Sequence, residues 1–78
     1  MIQKERKLVI TFHTTTQAMA MERCCKQEGA PGRLIPVPRA ITAGCGLAWC
    51  TDPEDEQFMT PLMEENSIEP EGIYRCLI

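Results

Sequence analysis

The order of elements read along this chain is strand, helix, strand, strand, helix, strand. It predicts an α+β domain of the ferredoxin-like split βαβ type, a four-stranded antiparallel sheet with two helices on one face. Three observations carry the prediction. Two short apolar runs, Leu8 to Phe12 and Cys45 to Cys50, have the composition of central strands. Each is followed within a few residues by a helix start, Thr14-Thr15-Thr16 after the first and Asp52-Pro53 after the second. Between them, Pro36 and Pro38 mark a strand that cannot be paired on both sides, because proline has no N–H to give a ladder.

Taken in order, Leu8 to Phe12 (Leu-Val-Ile-Thr-Phe) is the first strand, and His13 ends it. A threonine hydroxyl then caps a helix over Gln17 to Gln27, with Ala18, Met21 and Cys25 at i, i+3 and i+7 on its buried face. Gly29 stops it, and Ala30-Pro31-Gly32 turns the chain into the second strand, Arg33 to Val37. A loop from Arg39 to Gly44 leads to the third strand, Cys45 to Cys50, with Leu47 and Trp49 on one face and Ala48 and Cys50 on the other. Asp52-Pro53-Glu54-Asp55 opens the second helix, on which Phe58 and Leu62 share a face. Pro61 is expected to kink or shorten that helix, Asn66 to end it, and Gly72 to Leu77 to close the sheet. The expected spatial order is 4-1-3-2, with the proline-bearing strand two at an edge. The helices cover one face, so the other must stay wet, form a homodimer, or dock on a larger protein.

At 78 residues the chain is read as one domain, residues 1–78. A net charge of −3 opposes a nucleic-acid role, and four aromatics (Phe12, Trp49, Phe58, Tyr74) are too few for base-stacking platforms. No apolar run is long enough to span a bilayer and no apolar h-region opens the chain, so neither membrane nor export is expected. Five cysteines are an odd number, with Cys24 and Cys25 adjacent on a helical pattern. That favours reduced thiols in a cytoplasmic compartment over a disulfide framework. No C-x-x-C occurs and there is one histidine, so no metal site or other cofactor is expected.

Thr11-Phe12-His13-Thr14-Thr15, Ala18-Met19, Glu22, Pro36-Val37-Pro38-Arg39 and Cys45-Gly46-Leu47-Ala48 together resemble a family of small bacterial domains known as selenium/sulfur carrier protein-like. The resemblance runs from the first strand to Glu71-Gly72-Ile73-Tyr74, and its most specific part is Pro-x-Pro-Arg followed by Cys-Gly-Leu. Pro61 departs from the pattern and bears on the second helix, away from that motif. The resemblance implies a carrier of sulfur or selenium on Cys45 rather than an independent enzyme, with donor and acceptor proteins as partners.

The expected topology gathers further groups around that thiol. Strand one ends at His13, strand two at Pro38-Arg39, strand three starts at Cys45, and the first helix begins at the same end. Arg39, the amides near Thr14 and Thr15, and His13 when protonated each favour a thiolate, the nucleophilic form. Gly44 and Gly46 leave room for a donor's sulfur. No second cysteine is placed to resolve a bond to Cys45, which suits a persulfide or selenosulfide carrier better than a dithiol oxidoreductase.

Each residue also has a plainer reading. Cys45 can be a small buried hydrophobe, Arg39 a solvated cation or a partner of Glu22, His13 a strand-end group, and the threonines caps. The competing functions are a regulatory or ligand-binding module that holds an anion at the helix N-terminus and Arg39, and a passive interaction domain using the open sheet face.

Overall fold

The computed structural model describes residues 5–39, 41 and 46–77. Strand β1 spans Arg6–Phe12, helix α1 Thr15–Glu28, β2 Arg33–Pro36, β3 Leu47–Thr51, helix α2 Glu56–Glu65 and β4 Pro70–Leu77. The sheet order is β2-β3-β1-β4 and each neighbouring pair is antiparallel. This is the ferredoxin-like arrangement, with the proline-bearing β2 at one edge.

Helix α1 starts and stops as its sequence dictates. The Thr14 hydroxyl accepts the Gln17 N–H at 3.2 Å, satisfying one of the donors a helix start leaves free. At the other end Gly29 takes φ 69°, and the Ala30 and Gly29 N–H groups bond back to Cys25 and Lys26. Ala18, Met21 and Cys25 are its buried residues. Pro53–Asp55 forms a 3-10 turn rather than the first turn of α2. The Asp55 carboxylate holds this turn by accepting from the Thr51 hydroxyl at 2.7 Å and the Asp52 N–H at 3.2 Å. Pro61 does not end α2, which runs on to Glu65 before Asn66 caps it through the Leu62 carbonyl.

The core on the helix side is Leu8, Ile10, Phe12 and Trp49 of the sheet, packed on Ala18, Met21 and Cys25 of α1, Met59, Leu62 and Met63 of α2, and Ile68. Phe58 precedes Leu62 by one turn, as expected, but stays 49% exposed. Met59, Leu62 and Met63, at i, i+3 and i+4, set the centre of the buried stripe, and Phe58 falls at its margin.

The opposite face is closed in part by the chain itself. Val9 and Ala48 are fully buried there beneath Ile41, with Ile35, Val37 and Cys76 packed alongside. Ile41 is held in a turn by its N–H bond to the Pro38 carbonyl at 2.9 Å. Less apolar surface is therefore left on this face for a partner than the strand composition alone suggests.

Several element bounds differ from expectation: β3 is Leu47–Thr51 rather than Cys45 to Cys50, with Gly46 outside it, and α1 is Thr15–Glu28 rather than Gln17 to Gln27. Strands β1 and β4 pair from Arg6↔Leu77 to Phe12↔Pro70, so both extend beyond their apolar cores, and β2 ends at Pro36 rather than Val37. The Val37 N–H still reaches the Gly46 carbonyl at 3.0 Å, one step past the end of β2.

Candidate functional site

The site expected from the sequence is built at the end of the sheet where β1 finishes and β3 begins. Thr11 lies opposite Ala48 and Pro36 opposite Leu47, and Val37 bonds Gly46. This register brings His13, the Pro38-Arg39 turn, Gly46 and the α1 N-terminus to one edge of the fold. Cys45 and Gly44, with Ala40, Thr42 and Ala43, lie outside the described residues.

The described members of the set fall into three kinds. Thr14 is a helix cap whose hydroxyl oxygen is engaged by Gln17, and Thr15 is the exposed first residue of α1. His13 is exposed, with Nδ1 3.8 Å from the Glu71 carboxylate. Arg39 is exposed and, among the described residues, forms no ion pair with Glu22 or any other carboxylate. Gly46 takes φ 77°, in the left-handed region, and a Cβ built there would meet nothing within 4 Å. Backbone conformation rather than crowding thus requires glycine at this position.

Two neighbours were missed in the sequence. Glu71 reaches His13 because β4 begins at Pro70, two residues before the apolar signal of that strand. Gln17 ties the helix start to the approach of β4, its side-chain carbonyl accepting the Glu69 N–H at 3.2 Å. The pairing of strands one and four in the expected order was the only clue to either.

The described thiols sit elsewhere and are free: Cys24 and Cys25 on α1, Cys50 at the far part of β3, Cys76 late in β4. Burial pushes the Cys25 thiol up to about 11, with adjacent Cys24 adding to the effect. Burial also raises Cys50, against the pull of Lys7 and Arg33. Both are therefore held as neutral thiols at neutral pH, the less nucleophilic form. Among the described residues, no group of three or more His, Cys, Asp or Glu is arranged to hold a metal ion, and no helix is long and apolar enough to cross a membrane.

The fold defines a small ferredoxin-like α+β protein, with the exposed His13 and Arg39 near the ends of β1 and β2. Residues 7–75 match the family described as "Putative Se/S carrier protein-like". The chain belongs to that family. No curated protein and no solved structure matches it.

Proposed function

We propose that the protein carries a single sulfur or selenium atom on Cys45 and hands it from a donor protein to an acceptor enzyme. The observation that carries this reading is the family match over 7–75, nearly the whole chain. Three features support Cys45 as the carrier. It directly precedes Gly46, whose carbonyl is fixed by Val37 at the sheet edge shared with Arg39 and His13. Arg39 is exposed and has no carboxylate partner among the described residues, so its charge is available to an anion. Cys25 and Cys50 are poor alternatives, because burial keeps both protonated.

In the proposed cycle the Cys45 thiolate attacks the terminal sulfur of a donor persulfide. The donor's S–S bond breaks, the donor leaves as a thiolate, and a persulfide forms on Cys45 with no net oxidation or reduction. A selenium atom moves the same way to give a selenosulfide. Arg39 and the amides near Thr14 and Thr15 favour the anionic forms, and His13 assists when protonated. Gly44 and Gly46 let the donor's sulfur approach, and no cofactor takes part. Such a thiol works where it is kept reduced, as in a cytoplasm.

The test is incubation with a cysteine desulfurase and isotopically labelled cysteine, followed by peptide mass spectrometry. The carrier reading expects one added label on the Cys45 peptide and none in Cys45→Ser. If the label is absent, and anions stabilise Cys45→Ser as well as the parent protein, the domain is the anion-binding module instead.

A further inference from the structure

A groove in the helix layer shares no residue with the strand-end cluster. Its lining is Glu28 at the end of α1 and Gln57, Phe58, Pro61, Leu62 and Glu65 of α2. The volume is about 260 Å³. This falls below the ~300–1,000 Å³ common for small-molecule sites and suits one or two apolar side chains. Its wall is Phe58, a large aromatic left 49% exposed while Met59, Leu62 and Met63 supply the core contacts of the same helix.

The two charged residues that line this groove, Glu28 and Glu65, are both acidic. Residues 52–71 contain eight acidic side chains and no lysine, arginine or histidine. Several are already engaged: Asp52 with Lys7, Asp55 with Thr51, Glu56 with Arg75 and Glu71 with His13. Glu28 and Glu65, one from each helix, have no ion-pair partner among the described residues. Glu64 and Glu65 also occupy the last turn of α2, where the helix dipole disfavours negative charge and no basic residue offsets it. An arrangement unfavourable to the isolated helix becomes favourable when a cation is brought to it.

We propose that this groove docks a partner protein through a segment presenting a bulky apolar side chain flanked by lysine or arginine. The apolar group packs on Phe58 and Leu62, and the cations meet Glu28 and Glu65. The inference stands on the groove and its charge, and holds whether or not Cys45 carries an atom.

The experiment is an amide-shift titration of the whole, isotopically labelled chain with a short amphipathic Leu/Lys helical peptide. Two control peptides replace Leu by Gly or Lys by Glu. Binding by the Leu/Lys peptide alone is expected, with shifts concentrated at Glu28 and from Gln57 to Glu65. Phe58→Ala should weaken it about tenfold, as removal of a central aromatic anchor does. Glu28→Gln with Glu65→Gln should weaken it several-fold at low salt and little at high salt, because exposed charge pairs are screened. All three substituted positions line a surface groove, and circular dichroism confirms that the variants keep their fold. Equal binding of the Gly-substituted peptide, unchanged affinity in Phe58→Ala, or shifts centred elsewhere would overturn the proposal. So would self-association of the free chain that Phe58→Ala abolishes, since the occupant would then be a second copy.

Discussion

The helix-side face of the sheet buries Leu8, Ile10, Phe12 and Trp49 under two helices, while the opposite face buries Val9 and Ala48 under a loop residue, Ile41, and its neighbours. Both faces belong to the same two central strands, whose side chains alternate between them. The first cover consists of regular elements with their own backbone bonds and caps. The second depends on a turn, closed by Ile41 on Pro38, that also presents Arg39. The difference teaches that one short segment has two duties: it seals half of a core and it holds a candidate site residue at the sheet edge. Loosening the seal should therefore disturb the site, whereas loosening the helix-side core should unfold the whole molecule.

Four substitutions or conditions test this contrast. Phe12→Ala, in the fully buried helix-side core, should cost about 3–5 kcal/mol and leave little folded protein at room temperature. A urea melt shifted by less than a third of that would mean that the two faces carry similar weight. The next effect comes from pH. The Cys25 thiol is raised from 9.0 to about 11 by burial, so the folded chain keeps a proton there that the unfolded chain gives up. Stability from this group is complete below about pH 9 and is lost as pH rises towards about 11, by at most ~3 kcal/mol. Cys25→Ala should flatten that part of the stability–pH curve, and an unchanged curve would refute the assignment. Ile41→Ala removes the loop seal. Its cost should be about 2 kcal/mol, the lower end for a truncated aliphatic residue, because the site lies at the edge of the core. Hydrogen exchange at the Ile41 and Val37 amides should speed up at the same time, with the helix-side amides of β1 little changed. Uniform acceleration would show that the loop is not a separable unit.

The helix-side face was readable from sequence because its signals are local and repeat. The 3.6-residue spacing of Ala18, Met21 and Cys25, the threonines before α1, and Gly29 after it each fix one feature without reference to the rest of the chain. The two prolines likewise placed β2 at an edge. Element ends were less readable, because Arg6, Lys7 and Glu71 carry no apolar signal and join the ladder only through the pairing of β1 with β4. The exposure of Phe58 was hidden for a related reason. Periodicity gives the direction of an apolar stripe, but packing decides its centre, here Met59 with Leu62 and Met63. The role of Ile41 could not be read at all, since a lone aliphatic residue in a loop is buried only by contacts that the tertiary fold supplies. Of the candidate site, His13, Thr14, Thr15, Arg39 and Gly46 lie near the ends of β1 and β2 and the starts of α1 and β3, Gly44 and Cys45 lie outside the described residues, and Glu71 and Gln17 had no motif to announce them.

The smallest expected effect concerns the point where the helix cover begins, and it separates a structural from a ligand-binding use of the same hydroxyl. Thr14 accepts the Gln17 N–H, and α1 has no acidic side chain in its first turn to assist it. Losing the cap should therefore cost about 1 kcal/mol, the usual value for Thr→Ala at such a position. Thr14→Ser keeps the oxygen and should recover most of the loss, because the bond to Gln17 needs only that atom. If the hydroxyl serves only as a cap, anion-induced stabilisation will be the same in Thr14→Ala as in the parent protein once the lower baseline is subtracted. A loss of that stabilisation in Thr14→Ala, restored in Thr14→Ser, would make the threonine a ligand-binding group as well. The contrast between the two covers would then narrow: the helix as well as the loop would combine closing a face of the sheet with presenting a group to the site.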